Sequence, residues 1–175
     1  MLSDEDQRTL LDLARRTAEA AARGEPAPDL TNPSGPLREK GAAFVTLKIS
    51  GRLRGCIGHV EAVLPLWESV RDMAEAAAVR DSRFPPLGPR ELPGLDIEVS
   101  VLTPLKPIRS DDIRVGLHGL VARRGTRSGL LLPQVAVEWG WDRAEFLRRT
   151  YEKAGILPDA PDVELFAFTV EKLSR

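Results

Sequence analysis

The chain has 175 residues, 42% of them hydrophobic and 29% charged, and its 25 basic side chains nearly balance 26 acidic ones for a net charge of −1. This length fits one compact domain, and the near-zero charge gives no general electrostatic reason to bind nucleic acid or an anionic membrane. No long apolar run indicates a transmembrane span, and the start, MLSDEDQ, is acidic where a targeting peptide would be basic. A single cysteine excludes an intramolecular disulfide and a cysteine-based metal cluster. We therefore expect a soluble cytoplasmic protein with no metal and no cofactor.

The first third of the chain predicts a helix, a hairpin and a second helix. Ser3 can cap a helix whose first turn is acidic, and Gly24 ends it. After a loop rich in proline and glycine, alternating apolar residues in AAFVTLKIS and a turn at Gly51 predict a hairpin that continues into LRGCIG. Pro65 suits the first turn of the next helix, which has one apolar face.

The remainder of the chain predicts mainly strands, after a proline-rich connection from Arg80 to Leu95. The predicted elements are a strand in LDIEVSVLT, a hairpin about Gly125 and Thr126, a short helix from Pro133, a helix capped by Asp142 and Glu145, and a last strand in VELFAFTVEKL. The last strand is apolar on both faces, so we expect it at the centre of its sheet. The order of elements lacks a regular βαβα alternation and predicts an α+β fold with a mostly antiparallel sheet flanked by helices.

The segment LRGCIG contains the cysteine. If the segment is extended, its period of two places Arg54, Cys56 and Gly58 on one face. A guanidinium beside a thiol would stabilise the thiolate that a nucleophilic or redox-active cysteine needs. Gly55 and Gly58 would leave main-chain N–H groups open to a ligand. Alternatively, Cys56 is a small buried residue in a tight hairpin whose glycines serve close packing, which the spacing alone favours.

The segment DSRFPP offers an anion site or a structural brace. Asp81 could accept hydrogen bonds that hold Arg83 in place, and the two prolines that follow Phe84 would stiffen the loop. Arg83 would then bind an anion, or the pair would only brace a connection between helix and strand. Glu98 could share a wall with this loop, although a solvated strand face explains it equally well.

The histidines and the basic cluster are weaker candidates. Strand alternation directs His59 away from Cys56, and His118 lies between glycines, where a solvated turn is expected. The arginines from Arg123 to Arg127 indicate a solvated hairpin tip, since no aromatic side chains are interleaved with them to stack on nucleic-acid bases.

Four blocks in order along the chain resemble the AMMECR family, most closely its short prokaryotic form, protein A of the AmmeMemoRadiSam system. The blocks are LRGCIG at Leu53–Gly58, DSRFPPL at Asp81–Leu87, LDIEVSVL at Leu95–Leu102 and GLLLPQVAVEWGWD at Gly129–Asp142. The resemblance runs from about Gly41 to Val170. It implies a single domain, 1–175, with a cleft lined by LRGCIG between two lobes. We expect the larger lobe at about 1–112 and 133–175 and a smaller β-rich lobe at about 113–132.

The resemblance implies no particular reaction, but it implies a pathway shared with a Memo-like protein and a radical SAM protein. We expect a binding protein for a small anionic ligand or for a Memo-like partner. An enzyme that uses Cys56 as a thiolate nucleophile or redox centre is the alternative, and nucleic-acid binding ranks below both. The candidate catalytic residue is Cys56, and the candidate binding residues are Arg54, Gly55, Gly58, Asp81, Arg83 and Glu98.

Overall fold

The computed structural model describes residues 2–174, which form two compact units. The first unit takes in the chain as far as Leu102 and again from Glu171, and the second is Thr103–Val170. The helices are α1 (Asp4–Arg23), α2 (Gly35–Arg38), α3 (Leu66–Val79), α4 (Pro133–Glu138) and α5 (Arg143–Lys153), with short 3-10 helices at Pro89–Gly94 and Ser110–Asp112. The strands are β1 (Ala42–Ile49), β2 (Arg52–Gly58), β3 (Leu95–Leu102), β4 (Lys106–Pro107), β5 (Gly119–Arg124), β6 (Arg127–Leu131), β7 (Glu164–Phe168) and β8 (Val170–Ser174).

The first unit is a sheet of order β2-β1-β3-β8 with α1 and α3 packed on it. Helix α1 begins as the sequence predicts, because Ser3 Oγ accepts from the Asp6 N–H at 3.1 Å and donates to the Asp6 carboxylate at 2.7 Å. The turn between β1 and β2 is Ser50-Gly51, with positive φ at both residues, as in a type I′ hairpin turn. The core between helices and sheet includes Leu10, Val45, Leu47, Val70 and Val99, all fully buried.

The second unit is a sheet of order β4-β7-β5-β6 with α4 and α5. Phe146 of α5 and Leu120 of β5 are fully buried in its core. Because α5 and β7 pack on the β5–β6 hairpin, this unit holds more of the chain than residues 113–132. The α+β class with antiparallel sheets and flanking helices is confirmed.

The prediction of one central final strand is wrong. The chain breaks at Thr169 into β7, which is central in the second sheet, and β8, which joins the first sheet at its edge. At the break, Thr169 N–H donates to Thr103 Oγ1 at 2.8 Å, and Thr103 N–H donates to Thr169 O at 3.0 Å. These bonds tie together the places where the chain leaves the first unit and returns to it.

Neither a membrane-spanning helix nor a metal-binding cluster is present in residues 2–174. None of the helices there is both long enough and apolar enough to span a bilayer. In the same part of the chain, histidine, cysteine and carboxylate side chains form no group of three or more that could hold a metal ion.

Candidate binding surface around Cys56

A β-bulge in β2 sets the direction of the LRGCIG side chains. Leu53 pairs with Lys48 and Gly55 pairs with Leu47, so Arg54 is the extra residue between them. The predicted alternation therefore holds from Gly55 to Gly58 but fails at Arg54, and Leu53 lies on the opposite face from Gly55. The direction of the Arg54 side chain therefore does not follow from that of Cys56 by strand alternation.

The two glycines of the segment are explained by close packing. A Cβ on Gly55 would lie 2.1 Å from the main-chain oxygen of Ala77 in α3, and a Cβ on Gly58 would lie 2.2 Å from the ring of Phe44. Gly55 is also buried. These contacts cover the Cα positions of both glycines, so close packing requires glycine at both.

Asp81 and Arg83 take the place of a neighbouring strand at Cys56. Strand β2 is at the edge of its sheet, where outward main-chain groups lack a strand partner. The Cys56 N–H donates to Asp81 Oδ2 at 2.9 Å, and Arg83 Nη2 donates to the Cys56 carbonyl at 3.1 Å. Arg83 also donates from Nε and Nη2 to the two oxygens of Asp81, at 2.9 and 2.7 Å. The pair therefore braces the edge of β2, in addition to the connection between helix and strand that the sequence suggested it could brace.

The charges of this pair stabilise each other. The Asp81 side chain is 3% exposed, yet hydrogen bonds from the Arg83 side chain, above all, hold the pKa of Asp81 well below its ordinary value against the effect of burial. The pKa of Arg83 is raised, first by its hydrogen bonds to Asp81 and also by attraction to the Cys56 sulfur. The Arg83 side chain stays 56% exposed, so its charge reaches solvent.

Arg54 forms a two-bonded ion pair, or fork, with Glu91, as Arg83 does with Asp81. Its Nε and Nη2 donate to the two Glu91 oxygens at 2.7 and 3.0 Å, and Nη2 also donates to the Pro86 carbonyl at 3.3 Å. The pKa of Glu91 is lowered, first by these Arg54 bonds and then by the Gly88 N–H. Both guanidinium groups lie over the Phe84 ring, with Cζ 5.9 Å from its centroid for Arg54 and 5.6 Å for Arg83. We call Arg54, Cys56, Asp81, Arg83, Phe84 and Glu91 the Cys56 surface.

The thiol itself faces a hydroxyl. Cys56 Sγ lies 3.2 Å from Thr46 Oγ1, its partner across the β1–β2 ladder, and among residues 2–174 this is the hydrogen-bond partner that Sγ has. The sequence named Arg54 as the charged neighbour of the thiol. In the structure Arg54 binds Glu91, and Arg83 is the arginine that contacts Cys56, by donating to its carbonyl.

Glu98 lies in the same row of the sheet but has other partners. Thr46 pairs with Cys56 on one side and with Glu98 on the other. Glu98 accepts from Lys48 at 2.7 Å and from Lys172 at 2.9 Å. Burial would raise the pKa of Glu98, but these two lysines together hold it below its ordinary value. The structure therefore ties Glu98 to lysines and not to the DSRFPP loop.

The remaining candidates lie apart from the Cys56 surface. His59 donates from Nδ1 to the Glu61 carbonyl at 2.8 Å, and its buried Nε2 has no partner among residues 2–174. His118 belongs to the second unit, where its Nδ1 accepts from the Arg114 N–H at 3.1 Å. Arg127 at the basic hairpin donates to the Gly155 carbonyl at 2.8 Å.

The comparisons with known proteins identify the family. The sequence pattern of the AMMECR1 family matches residues 11–173. The chain belongs to the AMMECR1 family. It is 44% identical to a protein of Methanothermobacter thermautotrophicus, covering 97% of this chain and 94% of that protein. It is 42% identical to a protein of Pyrococcus furiosus, covering 97% of this chain and 88% of that protein. The crystal structure of the uncharacterized protein PH0010 from Pyrococcus horikoshii is similar, with a TM-score of 0.87, 41% identity and coverage of 98% of this chain and 92% of that one.

In this AMMECR1 chain, sequence reasoning missed Thr46 and Glu91 as neighbours of the candidate residues. With regular pairing after a Ser50-Gly51 turn, Thr46 would face Gly55, and only the bulge at Arg54 brings it to Cys56. Glu91 meets Arg54 across 37 positions of sequence, and no local pattern indicates that contact. The other members of the Cys56 surface come from two of the blocks that carry the family resemblance, LRGCIG and DSRFPPL.

Proposed function

We propose that this protein is a binding component whose Cys56 surface docks a protein partner through a carboxylate of that partner. The observation that carries the proposal is the paired forks, in which Arg54 and Arg83 are both fixed by carboxylates and both lie over one aromatic ring. Such a surface is rigid before any ligand arrives, so little side-chain entropy is lost on binding.

The two arginines keep donors for a ligand. In residues 2–174, neither Arg54 Nη1 nor Arg83 Nη1 donates a hydrogen bond. The Arg83 side chain is 56% exposed, and the Arg54 side chain is 12% exposed, with its Nη1 not among the buried unpaired polar atoms of that part of the chain, so both side chains contact solvent. A guanidinium presents several donors in fixed directions and matches a planar carboxylate.

The surroundings of Cys56 favour binding over catalysis. Its N–H already donates to Asp81, so it is not free to donate to a developing oxyanion. Its thiol faces the Thr46 hydroxyl, which is a poor general base.

A Memo-like protein is the partner we choose, in a pathway that also contains a radical SAM protein. The choice is supported by the resemblance to protein A of the AmmeMemoRadiSam system, because LRGCIG and DSRFPPL carry that resemblance and also supply most of the Cys56 surface.

The test is the affinity of the purified chain for a purified Memo-like protein encoded in the same genome, measured by calorimetry. We expect Arg83→Lys, which keeps the charge but loses the fork, to weaken binding about tenfold or more. The matched control is Arg148→Lys, because Arg148 also forks onto a carboxylate, Glu145, and is 46% exposed. Equal binding by wild type and Arg83→Lys, or no binding by wild type, would overturn the proposal.

One observation favours a thiol enzyme as the second candidate. Arg83 Nη2 lies 3.1 Å from the Cys56 carbonyl, so a guanidinium is held close to this cysteine, and nucleophilic cysteines in enzymes often have a cation beside them. That hypothesis requires Cys56 to alkylate faster than free glutathione at pH 7 and Arg83→Ala to slow the reaction. An ordinary or slow rate would remove the enzyme hypothesis.

A further inference from the structure

A cavity of about 350 Å³ in the second unit lies beside the strand break at Thr169. We call it the Thr169 cavity, and its lining residues are Thr103, Pro104, Lys106, Pro107, Ile108, His118, Ala167, Phe168 and Thr169. All of them belong to the second unit, and none contributes to the Cys56 surface. The volume is at the small end of the range for ligand pockets.

The polar side chains of this cavity are donors. The Lys106 side chain makes no ion pair or hydrogen bond with any of residues 2–174, and its ammonium carries three N–H donors. His118 accepts at Nδ1 from the Arg114 N–H, so its neutral ring carries the proton on Nε2. That Nε2 has no partner among the same residues and is not a buried unpaired atom, so it is accessible to a ligand.

The threonine hydroxyls add a further donor. Thr169 Oγ1 donates to Thr103 Oγ1 at 3.3 Å, and Thr103 Oγ1 donates to the Thr169 carbonyl at 3.4 Å. Both distances exceed the usual range of O–H···O bonds, so a hydroxyl proton can turn to a ligand oxygen at little cost.

The lining residues, among those the structure describes, include no strong hydrogen-bond acceptor. No carboxylate from residues 2–174 is among the lining residues, so Lys106 gives the cavity a positive charge that the protein does not neutralise. The rest of the wall is apolar, formed by prolines, Ile108, Ala167 and Phe168. A positive, donor-rich end beside an apolar wall suits an anion attached to an apolar group.

We propose that the Thr169 cavity binds a small molecule that carries one carboxylate or phosphate on a compact apolar body. Lys106, His118 Nε2–H and the Thr169 hydroxyl bind its oxygens, and the apolar wall covers its body. This site is independent of the Cys56 surface, so the two proposals can fail separately.

The experiment is an NMR titration of the ¹⁵N-labelled full chain with benzoate, phenyl phosphate, inorganic phosphate and benzyl alcohol. We expect at least one of the two aromatic anions to shift the amides of Thr103, Lys106 and Thr169 with saturation below about 20 mM, where a millimolar site is nearly filled. Whichever anion binds more tightly identifies the head group as carboxylate or phosphate. Benzyl alcohol, which lacks the charge, should bind at least about tenfold more weakly.

Variants decide which side chains bind the anion. Lys106→Gln and His118→Gln should each weaken the aromatic anion about fivefold to tenfold. The matched control is Lys153→Gln in α5, because Lys153 is also an exposed lysine of the second unit and lies outside the cavity. If the His118 variant does not fold, the Lys106 variant decides, since Lys106 is exposed.

Four results would overturn the proposal. They are no saturation by either aromatic anion, benzyl alcohol binding as tightly as the anions, inorganic phosphate binding as tightly as phenyl phosphate, and unchanged affinity in Lys106→Gln.

Discussion

One carboxylate, that of Asp81, ties the edge of β2 to the loop that follows α3. It accepts the Cys56 N–H, the Arg83 N–H and the Arg83 side chain, while its own side chain is 3% exposed. A buried carboxylate with this many donors is stable as an anion and costly to leave unpaired. The atoms of Asp81 and Arg83 that stabilise the fold are therefore the same atoms that would position the surface for a partner. A loss of partner binding in a variant of either residue has to be compared with its loss of stability.

Asp81→Asn should lower the free energy of unfolding by about 2 kcal/mol at pH 7, because the amide cannot accept on both sides and loses the charge that Arg83 binds. Since the pKa of Asp81 is lower in the folded chain, its stabilisation is complete above the unfolded value of about 3.9 and is lost as the pH falls through the folded value. In urea unfolding, the difference between wild type and Asp81→Asn should therefore narrow below about pH 4.

The control is Asp29→Asn. Asp29 also pairs with an arginine, Arg71, but its side chain is 79% exposed, and we expect a change of about 0.5 kcal/mol or less. A gap between wild type and Asp81→Asn that stays constant from pH 7 to pH 3 would show that the charge of Asp81 does not stabilise the fold.

Among the elements, helices were easier to predict than strand register. Ser3 and Asp142 mark the starts of α1 and α5 because an N-cap is local, and both side chains accept the hydrogen bonds that the sequence predicts. The bulge at Arg54 has no local pattern of that kind, and it lies beside Gly55, which packs against the main chain of α3, a contact between residues far apart in sequence. For that reason the sequence could place Cys56 on a strand but could not name Thr46 as its neighbour.

Gly55→Ala tests the contact between β2 and α3. The new Cβ would lie 2.1 Å from the Ala77 carbonyl oxygen, which belongs to a helix main chain and cannot turn aside. We expect a loss of about 3 kcal/mol in urea unfolding, at the upper end for overpacking. The control is Gly35→Ala, where a Cβ would meet nothing within 4 Å and a change of about 0.5 kcal/mol or less is expected. Equal stability of the two variants would contradict the packing explanation of LRGCIG.

For the whole molecule, the main departure from expectation is the path of the C-terminal segment. The apolar run in VELFAFTVEKL is long enough to read as one strand, but it serves two sheets in succession, with a break at Thr169. Hydrophobicity alone cannot reveal this, since both β7 and β8 contribute buried residues, such as Phe168 and Leu173. The first unit is therefore complete only when the chain has passed through the second.

Leu173→Ala tests this dependence. Leu173 is 2% exposed and packs in the core of the first unit, so its truncation should cost about 3 kcal/mol there. Trp67 belongs to that unit, so its fluorescence in a Trp139→Phe/Trp141→Phe background reports the first unit alone. The control is Leu157→Ala, because Leu157 is 71% exposed and lies in the second unit. An unchanged Trp67 transition in Leu173→Ala would show that β8 does not stabilise the first unit.

We claim that the Cys56 surface binds a partner and that its thiol has no chemical role in that binding. The most direct measurement is the dissociation constant of the Memo-like protein for Cys56→Ser, which keeps a side chain of similar size beside Thr46, compared with wild type. We predict values that agree within about threefold, a difference of less than 1 kcal/mol. A loss of about a hundredfold in Cys56→Ser, with folding intact, would contradict the claim and make the thiol the centre of the site.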